Sequence, residues 1–188
     1  GGGEPRVKKQ VWLSVVALAA VTALVVVAAV SLLRPADEPA EEAVGEQEVP
    51  ARPDCPGGSV GSVDLPCLGG GDSGDAAQEI TVANVWAWWC EPCREELPAL
   101  EEFAKEHPEY TVVGVHADTN AANGAALLND LGIDLPSYQD SENAFAGQLG
   151  LPGVVPVTVV FRGEEKVGVV GRALSSSSEI AEAVEEVL

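Results

Sequence analysis

The chain has 188 residues, enough for one domain with appendages, and it is 46% hydrophobic with a net charge of −20 at pH 7. An acid excess of that size repels a phosphate backbone and excludes a general nucleic-acid binder. The charge is unevenly spread: Arg6, Lys8 and Lys9 precede an uncharged apolar run, and from residue 34 onward seven basic residues face twenty-nine acids.

That apolar run, residues 11–33, would span about 34 Å as a helix, against about 30 Å of bilayer hydrocarbon. It reads as a single transmembrane anchor. The short basic tail before it, residues 1–10, is held in the cytoplasm by the positive-inside bias, which sends the remainder to the extracytoplasmic side of the cell membrane. A cleaved signal peptide is the competing reading. Its apolar region is usually only about 7 to 15 residues, although Ala28, Ala29 and Ser31 offer small residues near a cleavage position. Residues 34–54 are rich in Pro, Glu and Ala without apolar periodicity, so they bury too little to offset their ordering entropy and form an acidic linker.

A folded domain is expected over residues 55–188. Cys55 and Cys67 open it, with Gly57, Gly58 and Gly61 between them. Four cysteines outside the cytoplasm suggest two bridges, and sequence order favours Cys55–Cys67 beside Cys90–Cys93. Cys55–Cys67 reads as a structural disulfide, with a second redox pair relaying electrons to Cys90–Cys93 as the alternative. Gly69-Gly70-Gly71 lacks the Gly-Lys-Ser/Thr ending of a phosphate loop.

Residues 80–89 form a near-continuous apolar run, the pattern of a strand covered on both faces. Trp86, Trp88 and Trp89 would alternate faces along it, with one or two in the core. Cys90-Glu91-Pro92-Cys93 follows at once, and Leu97, Leu100 and Ala104 then recur at helical spacing, predicting a helix over 93–107 kinked by Pro98. The two thiols therefore sit at a strand-to-helix junction. Unpaired N–H groups at a helix N-terminus favour a thiolate at Cys90, the expected nucleophile, and Cys93 is placed to close a disulfide. No second cysteine pair follows at zinc-ligand spacing, so no metal is expected. Glu91 and Glu96 put negative charge near Cys90, which opposes its thiolate and lowers the reduction potential. Trp89, adjacent to Cys90, is a candidate for shielding it or meeting substrate.

Further on, 110–117 reads as a strand, 121–131 as a helix stopped by Gly132, and 141–149 as one or two helical turns. Residues 157–161 and 166–170 read as a hairpin, and Ser176 with Glu179 marks a capping box that opens a last helix. Pro156 opens a strand, a position that needs no preceding ladder bond. The order βαβα followed by ββα predicts an α/β fold, a central mixed sheet with helices on both faces.

The stretch from Asn84 through Cys90-Glu91-Pro92-Cys93 to Pro98 resembles the thioredoxin superfamily, and within it the membrane-anchored TlpA/ResA/CcmG-like thiol-disulfide oxidoreductases. The likeness extends over roughly residues 60–188. It implies a thioredoxin-like fold whose only redox group is the Cys90–Cys93 disulfide, with no separate cofactor. It places Glu96, three residues after the second cysteine, in the active site, and gives Glu91 and Pro92 a modulating role. It also implies that Pro156 is a cis-proline that packs against the cysteines and offers backbone hydrogen bonds to a peptide, and Val155 before it is a further candidate for binding substrate. The family usually has Gly-x-Pro at this loop, whereas Gly153-Val154-Val155-Pro156 is one residue longer.

The resemblance further implies a protein disulfide reductase acting on apocytochrome c during cytochrome c maturation. Its electrons would come from a membrane thiol carrier of the CcdA/DsbD type. A general envelope disulfide reductase or isomerase, an oxidase, and a tethered thioredoxin-fold binding module that never cycles are the alternatives.

Overall fold

The computed structural model describes residues 48–188. The basic tail, the apolar run at 11–33 and most of the linker, on which the anchor reading rests, lie outside the described residues. Among the described residues no helix is long and apolar enough to cross a membrane.

The elements follow in the order β1 (Ser59–Val60), β2 (Val63–Asp64), β3 (Ile80–Trp86), α1 (Glu91–Glu106), β4 (Tyr110–His116), α2 (Ala121–Asp130), β5 (Ser137–Gln139), α3 (Ala144–Leu149), β6 (Val157–Arg162), β7 (Glu165–Val170) and α4 (Ser177–Val187). The first two strands pair as a small hairpin, and the other five form one sheet in the order β5-β4-β3-β6-β7. Within the sheet β3 runs parallel to β4, β4 parallel to β5, and β3 antiparallel to β6. The β6–β7 hairpin turns through Gly163 at φ +59°, a left-handed conformation that suits glycine at the first position of a two-residue turn.

Alternation along the strands divides the core into two clusters. Val82, Trp86, Val112 and Val160 face α1, α2 and α4, packing with Leu97, Leu100, Leu128, Ile180 and Val184. Ala83, Val85, Val113, Val115, Val159 and Phe161 face the other way, onto Phe145 of α3 and the Cys55–Leu65 segment. The parallel crossovers from β3 to β4 and from β4 to β5 carry α1 and α2 to the same face, as consecutive crossovers of one hand must. The sheet is mixed with helices on both faces, a thioredoxin-like α/β fold.

The N-terminal segment covers what would otherwise be an open sheet edge. Leu68 N–H donates to Ser137 O at 2.8 Å and Gln139 N–H to Pro66 O at 2.8 Å, so 66–68 lies along β5. Cys55 and Cys67 are joined (S–S 2.04 Å) and close this segment, with Cys55 fully buried.

Several boundaries differ from the sequence expectations. The strand expected over 80–89 ends at Trp86, because Cys90 N–H bonds back to Ala87 O at 3.0 Å and closes a turn. Trp88 and Trp89 are therefore off the strand. Only Trp86 is a core residue, while Trp88 is half-buried and Trp89 is 58% exposed. The helix expected from 93 begins at Glu91, with Cys90 as its N-cap, and runs unbroken through Pro98. Pro98 lies on the exposed side, where water can meet the carbonyl its missing N–H leaves unpaired. Strand β5 was not anticipated.

Candidate active site

Three loops meet at one end of the sheet: the turn after β3, the turn after β4, and the segment entering β6. The chain passes from β3 outward to β4 and β5, then returns to the opposite side of β3 as β6. Such reversals leave a crevice at the carboxyl ends of parallel strands. A cleft of about 500 Å³ occupies it, with Trp89, Ala117, Asp118, Leu151, Val154 and Val155 among its walls.

Cys90 and Cys93 are joined at this edge (S–S 2.05 Å). Cys90 has the extended backbone of an N-cap, and its Sγ accepts from Cys93 N–H at 3.2 Å. Glu91 and Pro92 fill the first two helical positions, where proline loses no helical bond, and both are exposed. The sulfurs are not equivalent: Cys90 retains 5% exposure and Cys93 none. An incoming sulfur thus has access to Cys90 alone. On cleavage, the free N–H groups of the first turn of α1 are in place to stabilise a Cys90 thiolate.

Glu96 lies one turn beyond Cys93 on the buried side of α1 and is 1% exposed. Burial pushes its carboxyl up from 4.5 to about 7, while the Asn84 side chain and the Leu174 backbone pull the other way. Neither oxygen meets a partner in full hydrogen-bond geometry. Near neutrality the group is therefore only partly charged, because charge in an apolar surround is costly, and the negative charge expected of it is correspondingly reduced. Glu91 remains the exposed acid beside Cys90. Asn84, on the adjoining strand, is buried and donates from Nδ2 to Thr158 Oγ1 at 3.1 Å.

The Val155–Pro156 peptide bond is cis. Pro156 is buried, Val155 is half-buried at the cleft, and Val154 stands 60% exposed. Trp89, next to Cys90, and Val155, next to Pro156, line the same cleft. Cys55 and Cys67 belong instead to the segment on β5 and the opposite core cluster.

Sequence reasoning missed the polar residues behind the site. Asp118, just after β4, accepts from both Trp88 Nε1 and Trp89 Nε1. Behind it, Gln139 Nε2 donates to Asp118 O at 2.5 Å and Gln139 Oε1 meets His116 Nδ1 at 2.9 Å. His116 is fully buried against Trp86, and burial lowers its pKa, so it is neutral. Gly124 leaves room for its ring, since a Cβ there would stand 2.6 Å from the imidazole.

Fold and site together define a thioredoxin-fold protein carrying a Cys-x-x-Cys disulfide at a helix N-terminus. The chain belongs to the AhpC/TSA family, which it matches over residues 68–170, and its relatives mark it as TlpA/ResA/CcmG-like, as the sequence resemblance implied. It is 36% identical over 80 residues to a probable thiol:disulfide interchange protein DsbE-2 of Pasteurella multocida, covering 42% of this chain and 41% of that one. It is 26% identical over 86 residues to the thiol-disulfide oxidoreductase ResA of Bacillus anthracis, covering 45% and 49%. The match thus spans under half the length of each of these relatives. Among solved structures, a secreted thiol-disulfide isomerase of Corynebacterium glutamicum superposes with a TM-score of 0.53 at 25% identity, covering 72% of this chain and 96% of that one.

Proposed function

We propose that this protein is an extracytoplasmic thiol-disulfide oxidoreductase that reduces protein disulfides through Cys90 and Cys93. The observation that carries the reading is the unequal exposure of two bonded sulfurs at the start of α1, beside a cleft shared by Trp89 and Val155. In the reduced enzyme the Cys90 thiolate attacks a substrate disulfide, forming a mixed disulfide and expelling one substrate thiolate, which takes a proton. Cys93 then attacks the Cys90 sulfur. The second substrate thiolate leaves, and the enzyme holds the Cys90–Cys93 disulfide. Cys93 must lose a proton to act, and the Glu96 carboxyl, titrating at about 7 one turn away, is suited to accept it. Two electrons from a second thiol carrier restore the dithiol.

The substrate proposed is apocytochrome c, and the electron source a membrane carrier of the CcdA/DsbD type. The apolar run at 11–33 would anchor the domain beside both. Support for this finer reading is the Glu91-Pro92 dipeptide, Glu96 and the similarity to ResA. The similarity to a secreted isomerase favours a second reading, a general envelope reductase or isomerase.

A glutathione redox titration of Cys90–Cys93 tests direction. A reductant should titrate well below the roughly −120 mV of a strong oxidant such as DsbA, and a value near that figure would reject it. Deleting the gene and staining membranes for covalent haem tests the substrate. Loss of stained cytochrome c is expected, and unchanged staining would remove the maturation role.

A further inference from the structure

Two tryptophans precede Cys90, and one carboxylate holds both. Asp118 Oδ1 accepts from Trp88 Nε1 at 3.2 Å, and Asp118 Oδ2 from Trp89 Nε1 at 2.9 Å. The Asn120 N–H adds a bond to Oδ1 at 2.7 Å. Asp118 is itself anchored to the sheet. Its carbonyl accepts from Gln139 Nε2 at 2.5 Å, Gln139 is tied to the buried His116, and the neighbouring Ala117 N–H bonds Trp86 O at 2.8 Å. Burial alone would raise the Asp118 carboxyl, but the hydrogen bonds from Asn120, Trp89 and Trp88 hold it below the usual carboxylate range, so it is charged at neutral pH.

Trp89 needs such a restraint. An indole 58% exposed has little packing to select one rotamer, yet this one lines the cleft and belongs to the residue directly before the accessible cysteine. Charge-assisted bonds are the stronger kind, and here one anion collects two of them from consecutive residues in the turn that leads to Cys90. We propose that Asp118 is a positioning residue for disulfide exchange, gripping Trp88 and Trp89 so that the Trp89 indole stands as a fixed wall of the substrate cleft beside Cys90. The role rests on the oxidoreductase reading above. A wall touches substrate before and during sulfur transfer alike, so its loss weakens binding in both states and appears in KM rather than in kcat.

Asp118→Ala and Asp118→Asn variants of the full chain test this, with insulin as the disulfide substrate and nuclear magnetic resonance of 15N-labelled tryptophan indoles as the second readout. In Asp118→Ala the Trp88 and Trp89 indole N–H signals should move and exchange with water about tenfold faster, while the Trp86 signal stays. KM for insulin should rise about tenfold, with kcat within about twofold of wild type. Asp118→Asn keeps one acceptor oxygen and should fall between. A kcat that drops at constant KM, an unchanged KM, or a shift of all the indole signals together would each overturn the proposal. A wild-type chain that reduces no disulfide would remove the oxidoreductase reading and the proposal with it, whereas an active wild type with normal KM in Asp118→Ala removes the proposal alone.

Discussion

Replacing Glu96 by Gln removes an ionisable group that the fold holds beside Cys93 against the preference of its charged form. The folded carboxyl titrates at about 7, against 4.5 for the unconstrained group. The folded state therefore binds the proton more tightly than the unfolded chain. Stability from this group is fully present below pH 4.5 and is lost as pH rises through 7. At about 1.4 kcal/mol per pKa unit, the loss between pH 5 and pH 8 comes to roughly 2–3 kcal/mol. Little solvent screening reduces it, since the side chain is 1% exposed. Gln has nearly the same shape and no proton to lose. Urea unfolding of the oxidised chain at pH 5 and pH 8 gives the comparison, and subtracting the Glu96→Gln change from the wild-type change cancels every other titrating group. The wild-type midpoint should fall by about 1 to 2 M more than that of the variant. Equal pH dependence in the two proteins would refute the buried-carboxyl account, and with it the assignment of Glu96 as proton acceptor for Cys93.

Other outcomes follow from the same geometry. Changing Cys55 and Cys67 together to Ser should cost about 3 kcal/mol in chemical denaturation, because the bridge closes a short loop. Insulin reduction should persist wherever that variant stays folded, and its loss there would favour an electron relay instead. Gly124→Ala should cost about 1–3 kcal/mol and lower the melting temperature by roughly 3–10 °C, since the added methyl meets a buried ring fixed by Gln139. A melt identical to wild type would show that the imidazole yields.

Much of the site was legible because its information is local. Two cysteines three apart, an apolar run before them and Leu97, Leu100 and Ala104 after them define a strand, a junction and a helix within one stretch. What was not legible depends on partners distant in the chain. Asp118 lies 30 and 29 positions from the tryptophans it holds, and nothing in a lone acid after a strand announces that pairing. Strand β5 has only three residues, and its ladder comes from β4 on one side and the Cys67 segment on the other, so periodicity had nothing to register. Continuous apolarity from 80 to 89 hid the strand end, because a turn rich in tryptophan reads like a strand until the Cys90–Ala87 bond is seen. Glu96 was placed correctly on the helix, but its charge state depends on burial, opposed by Asn84 and Leu174, which spacing alone does not reveal.

The central claim is that Cys90 exchanges sulfur bonds and Cys93 resolves them. Cys93→Ser protein, reduced and then mixed with a disulfide-bonded peptide, tests it directly by intact mass and peptide mapping. The account predicts a stable adduct of one peptide on Cys90. A chain that stays unmodified, or an adduct found on Cys55 or Cys67 instead, would contradict it.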